Sequence, residues 1–152
     1  MTRSPCLEVR SAGWPVRHLV QLGLVLVLLQ GIGCGSLAPT KDPAALQTAI
    51  DLKNEALALI EKATDPPAAH LGEIQALRQK LAAALEEEKQ RSGPDAVSVK
   101  QWELLADPNG NLLGGFLTKW ETEGTGRSPE FLAGVKQLVG QAFDQIIKLQ
   151  RS

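Results

Sequence analysis

The chain has 152 residues, balances 16 Lys+Arg against 17 Asp+Glu, and is 43% hydrophobic and 22% charged. Those values lie near globular averages and exclude a collagen-like or wholly disordered chain. The near-zero net charge argues against nucleic-acid binding, which needs a basic face.

Residues 1–18 hold Arg3, Arg10, Arg17 and His18 against a single acid, Glu8. An apolar core follows over 19–29, from Leu19 to Leu29, and then Gln30-Gly31-Ile32-Gly33-Cys34-Gly35-Ser36. A basic start, an apolar core of about 7–15 residues and a small-residue exit make a secretory signal. The signal is therefore placed at 1–33. Its core is shorter than the roughly 20 apolar residues of a membrane-spanning helix. No charge occurs from Leu19 to Thr40, so retention as an uncleaved signal anchor stands as the alternative.

Gly31-Ile32-Gly33-Cys34 resembles the lipobox of bacterial lipoproteins. The resemblance implies cleavage before Cys34, acylation of its thiol with chains such as palmitate, and a membrane partner reached through that lipid. Gly33 supplies the small residue the family wants before Cys, while Gly31 stands where the family usually has Leu. Gly35, not Asp, follows Cys34, which by the same resemblance points to the inner face of the outer membrane where the cell has one. The resemblance covers only the leader and implies no fold or activity for the rest. Cysteine usage agrees with export. Of Cys6 and Cys34, cleavage removes the first and acylation consumes the second, leaving no thiol to pair or bind metal.

Residues 34–42 form the lipidated Cys and its tether, and 35–42 reach at most about 26 Å. The remaining 43–152 read as a helical domain. Proline punctuates it at Asp42-Pro43, Asp65-Pro66-Pro67, Gly93-Pro94-Asp95 and Ser128-Pro129-Glu130. Asp or Ser as N-cap before Pro is a helix start, because the side chain satisfies an orphan amide and Pro lacks the amide that would go unpaired. Gly replaces the cap in the third case.

Helical stripes fill the segments between. In 43–63, Leu46, Ile50, Leu57 and Ile60 share a face, beside Ala49, Ala56 and Ala63. In 66–91 the stripe is Leu71, Ile74, Leu77, Leu81 and Leu85. In 129–150 it is Phe131, Val135, Leu138, Ala142, Ile146 and Leu149, widened by Val139, Phe143 and Ile147. Such spacing marks amphipathic helices with one buried side. The stretch 95–123 is broken: Val97, Val99, Trp102, Leu104 and Leu105 predict a short helix ending at Asp107-Pro108-Asn109-Gly110-Asn111. Leu113, Phe116, Leu117 and Trp120 predict a second one. The predicted class is all-α: a small up-down bundle of three long helices plus a broken short-helix pair.

The chain offers little chemistry. Asp107, Asn109 and Asn111 have the first spacings of a calcium loop, but Leu112 and Thr118 stand where its Gly and closing Glu belong, so an Asx turn is the reading. Gly124-Thr125-Gly126-Arg127 completes no phosphate-binding glycine pattern. Glu86 to Arg91 reads as a solvated charge run with a Glu87–Arg91 pair. His70 is the only histidine beyond the leader, with no spacing for a zinc site or a nucleophile–base pair. The expectation is a non-enzymatic protein with no cofactor and no metal, acting as an interaction or scaffolding subunit of the cell envelope. The alternative is a module holding a small ligand in the bundle interior or at the 107–120 turn. The candidate contacts are Trp102, Asn109, Phe116 and Trp120, aromatics and a turn residue in the element least committed to packing.

Overall fold

A computed structural model describes residues 42–124 and 128–152. The signal at 1–33, Cys34 and the tether up to Lys41 lie outside the described residues. Those described form α1 (Pro43–Glu61), α2 (Leu71–Ser92), α3 (Val97–Ala106), α4 (Leu113–Glu123) and α5 (Pro129–Arg151), with 3₁₀ turns at Lys62–Thr64 and Pro67–Ala69. Among them no strand occurs, and the all-α class read from the stripes is the class of the fold. None of the described helices is long and apolar enough to cross a membrane.

Two of the punctuations act as the sequence predicts. Asp42 Oδ1 accepts from the Ala44 amide at 2.9 Å, and Ser128 Oγ accepts from the Phe131 amide at 3.2 Å, each with Pro following in the first turn. The other two do not. Asp65-Pro66-Pro67 leads into the 3₁₀ turn, and α2 begins at Leu71 after His70, not at residue 66. Pro66 sits at ψ 132, an extended residue before a second proline, as steric clash with the following ring demands. Gly93, at φ +84, closes α2, and α3 opens without a side-chain cap after Ala96.

Helices α1, α2, α3 and α5 pack in a closed circuit, α1 on α2 and α5, and α3 on α2 and α5. Charged pairs give the directions. Lys62 meets Glu73 at 2.5 Å and Glu55 meets Lys80 at 2.7 Å, so α1 and α2 run antiparallel. Lys53 meets Asp144 at 2.6 Å and Glu61 pairs with Lys136, so α1 and α5 do too. The α4 helix lies across the end where α1 turns into α2, against α2, α3 and Pro67–Ala69. Asp42 and Gln150 lie at the opposite end, beside the last turn of α2.

The core is built of Ala49, Leu52, Ala56, Leu59 and Ile60 from α1, Ala63 from the turn after it, Ile74, Leu77 and Leu81 from α2, Trp102 and Leu105 from α3, and Phe143 and Ile146 from α5. Small Ala49 and Ala56 alternate there with bulky Leu52, Leu59 and Ile60, so the inward face of α1 offers hollows and ridges to its neighbours. Trp102 meets Phe143 edge to face, with centroids 6.0 Å apart and planes at 88°. That is a favoured geometry for aromatic quadrupoles.

One predicted stripe is buried along only one of its edges. The buried face of α5 is Leu132, Val139, Gly140, Phe143, Ile146 and Ile147. Phe131 and Leu138 are 47% and 54% exposed. Val139, Phe143, Ile146 and Ile147 of the predicted stripe face the core, and its Phe131–Leu138 edge faces outward. The helix is apolar over more of its circumference than the core covers.

Candidate functional site: the groove beside the 107–112 turn

The turn after α3 forms as an Asx turn. Asp107 Oδ1 accepts from the Asn109 amide at 2.9 Å, and the Gly110 amide donates to the Asp107 carbonyl at 3.1 Å. Asn109 is exposed at its tip. The chain then enters α4 with Gly114 and Gly115 pressed against the turn they follow. A Cβ on Gly114 would lie 2.3 Å from the Ala106 carbonyl oxygen, and one on Gly115 1.8 Å from that of Gly110. Backbone on both sides leaves no flexible atom to yield. The two glycines are there for close approach and set how α4 sits on α3.

This seat fixes the aromatics. Trp102, Phe116 and Trp120 are 2%, 5% and 0% exposed, all three pack in the core, and Phe116 also lines the groove beside this turn. The Trp120 indole Nε1–H donates to the Asp65 carbonyl at 3.2 Å, and its ring lies 5.7 Å from that of His70. Of the four candidate contacts, only Asn109 reaches solvent. Cys34 lies outside the described residues.

Beside the turn, α4 and the first half of α5 leave an open groove of about 210 Å³. Its walls are Phe116, Phe131, Val135, Leu138 and Val139, with Gly110, Asn111 and Lys119 at its polar edge. Phe116 packs on Trp120 behind it, centroids 6.3 Å apart. The groove thus gathers the 107–120 turn, singled out in the sequence, with the flank of α5 that the core leaves uncovered. It holds apolar surface, main-chain polar groups and one ammonium. It holds no nucleophile–base pair and, among the described residues, no group of three His, Cys, Asp or Glu is placed to hold a metal ion.

Two polar clusters brace the ends of the bundle, and sequence reasoning missed both. At the groove end, His70 lies between carboxylates, with Nδ1 3.0 Å from Glu73 Oε1 and Nε2 3.2 Å from Asp65 Oδ2. Those hydrogen bonds, Glu73 first, raise the imidazole above its ordinary 6.5. Glu73 is in turn held below its ordinary 4.5, chiefly by Lys62 and then by His70. Asp65 therefore serves His70 and Trp120 and caps no helix.

At the other end the charge run is solvated at Glu86, Glu87 and Gln90, as expected, but not at Glu88. Glu88 is 1% exposed. Its carboxylate accepts from Ser92 Oγ at 2.8 Å, from Gln150 Nε2 at 2.7 Å, and from Ser98 and Arg91. Burial alone would push this carboxyl up; the four donors together hold it below the ordinary value. Arg91 pairs with Glu88 and, at 3.1 Å, with Asp42, instead of with Glu87. The polar cluster joins α1, α2, α3 and α5 at one end.

The chain matches no protein-family model, and comparison with curated proteins and with solved structures finds no match.

Proposed function

We propose that the chain is an exported lipoprotein, held in a bacterial envelope membrane through acylated Cys34, whose helical domain is a non-enzymatic interaction or scaffolding subunit. The observation that carries this reading is Gly31-Ile32-Gly33-Cys34 directly after a basic segment and the apolar core Leu19–Leu29. An outer-membrane inner-face position follows from Gly35, by the same family resemblance.

The architecture supports a division of labour along the bundle. Asp42, where the tether joins the domain, is at the Glu88 end, and the groove is at the other, a separation of about 28 Å along the 19 residues of α1. An anchor at the first end leaves the groove facing away from the membrane. The groove's size favours side chains of a protein partner over a small ligand. Its roughly 210 Å³ is below the range of about 300–1,000 Å³ usual for small-molecule sites. The second reading, a small-ligand module, rests on the enclosure of apolar Phe116, Val135 and Val139 behind Lys119.

The test is palmitate labelling of the wild-type chain and of Cys34→Ser. Label and membrane association are expected in the first and lost in the second; label retained by Cys34→Ser sinks the anchor reading. Native mass spectrometry of the extracted protein separates the other two readings, since a retained protein supports interaction and a retained small molecule supports ligand binding.

A further inference from the structure

His70 stands where three parts of the fold meet: the connection between α1 and α2, the first turn of α2, and the Trp120 end of α4. Its side chain is only 13% exposed. Both ring nitrogens face carboxylate oxygens, Nδ1 that of Glu73 at 3.0 Å and Nε2 that of Asp65 at 3.2 Å. An ionised carboxylate only accepts, and a neutral imidazole has a single N–H. Both contacts are therefore hydrogen bonds in the imidazolium alone. In the neutral ring one nitrogen would aim a lone pair at a carboxylate. The charged groups acting on the ring are Glu73 from α2 and Asp65 from the connection, with Lys62 behind Glu73 at 2.5 Å. From α4 the ring meets the uncharged indole of Trp120, while Glu121 is engaged by Arg78 at 2.6 Å.

We infer that the connection between α1 and α2 is a proton-operated latch on α4: protonated His70 holds residues 65–70 against Trp120, and loss of the proton lets them come away. The inference does not depend on the anchor or on any partner. When the proton leaves, the two carboxylates are not equal. Glu73 keeps Lys62, whereas the Asp65 carboxylate has no second side-chain partner among the described residues. Asp65 is thus the contact given up, and its carbonyl is the group that receives the Trp120 indole N–H at 3.2 Å. One residue carries both the proton-dependent contact and the fastening to α4. The rings add to this, because at 5.7 Å between centroids an imidazolium draws on a cation–π attraction that a neutral ring lacks.

The moving part is the connection, not α4. Gly114 and Gly115 seat α4 on the turn before it, and Arg78 holds Thr118 and Glu121 from α2. Residues 65–70 have only local backbone bonds, Asp65 to Lys62, Ala69 to Pro66 and His70 to Pro67. Such a segment opens more readily than a packed helix. The same contacts give the direction. They raise His70 above its ordinary 6.5, so the latch is shut below that value and opens as pH rises through the raised one.

Nuclear magnetic resonance of the full chain in a mild detergent tests this, following the His70 ring and the Trp120 indole N–H between about pH 5 and 9, a range that brackets an ordinary imidazole. Glu73 is held below 4.5 and stays ionised throughout. Trp120→Phe identifies the indole signal. His70 should titrate above 6.5, and the indole signal should shift with the same midpoint. The opening constant from indole hydrogen exchange should rise about tenfold for every pH unit by which that midpoint exceeds 6.5. His70→Gln should abolish the indole transition. Asp65→Asn, which keeps the carbonyl and removes the charge, should lower the His70 midpoint. An indole signal unmoved across the His70 titration overturns the inference, as does a transition that survives in His70→Gln. A His70 midpoint at or below 6.5, or one indifferent to Asp65→Asn, overturns it equally.

Discussion

The indole of Trp120 donates its hydrogen bond to the main-chain carbonyl of Asp65, 55 residues earlier, and so fastens α4 to the connection between α1 and α2. Both partners are needed for the fastening, but most of its strength lies in the buried ring. Trp120→Ala should therefore cost about 3–5 kcal/mol, the usual range for emptying a core aromatic site. Trp120→Phe should cost distinctly less, because it keeps most of the ring and leaves the Asp65 carbonyl without its donor. Urea unfolding of both variants checks this. Equal losses would mean that the hydrogen bond outweighs the packing.

Glycine substitutions should separate by place. Gly115→Ala drives a methyl into the Gly110 carbonyl, and Gly114→Ala into that of Ala106. Each should lower the melting temperature markedly. Gly72, in the first turn of α2 with nothing near its missing Cβ, should gain about 0.5–1 kcal/mol as Gly72→Ala through helix propensity. Thermal melts of the three variants decide it, and a neutral Gly115→Ala would contradict the close approach.

The Glu88 cluster should be sensitive to loss of its acceptor. Glu88→Leu leaves Arg91, Ser98 and Gln150 facing an apolar side chain, and a loss of about 3–5 kcal/mol is expected, as when one partner of a buried pair is removed. Glu88→Gln should be milder, since one oxygen still accepts. Because the Glu88 carboxyl is held low, its contribution is complete above the ordinary 4.5 and fades as pH falls through the lowered value. Denaturation midpoints between pH 3 and 6 should show a slope that Glu88→Gln flattens.

The groove end responds to pH in two directions. The imidazole of His70 is raised, so its contribution is complete below 6.5 and is lost as pH rises through the raised value. Glu73 is lowered, so its contribution is complete above 4.5 and is lost as pH falls. This end should be firmest between those two ordinary values. The His70→Gln variant should lose the alkaline slope of the melting temperature and keep the acid one; an unchanged alkaline slope would remove His70 from the account.

Local signals carried most of the helical reading. Asp42 and Ser128 cap what they precede because the cap, the proline and the helix are neighbours in sequence. Asp65 has the same local pattern and fails, because the double proline leads into a 3₁₀ turn and its carboxylate is taken by His70, while its carbonyl accepts from Trp120 of another helix. The burial of Glu88 was illegible for the same reason: Gln150 and Ser98 stand 62 and 10 residues away. Within its own segment Glu88 is one acid among three in a row. Periodicity also finds that α5 is amphipathic without fixing which arc faces inward when apolar residues cover more than one. The groove follows from that surplus. Its ingredients, the 107–111 turn and Phe131 to Leu138, were visible separately, but only the glycine seat of α4 brings them together.

The cluster around Glu88 also determines where a tug on the domain is felt. A pull arriving through Asp42 meets Arg91, and through it Glu88, before it can peel α1 from its neighbours. Glu88 passes the load to Gln150 on α5 and Ser98 on α3. Tension at one terminus is thus spread over four helices instead of prising off one. The Asp42 end of the domain is cross-braced through one buried carboxylate, and the groove end lies outside that set of contacts.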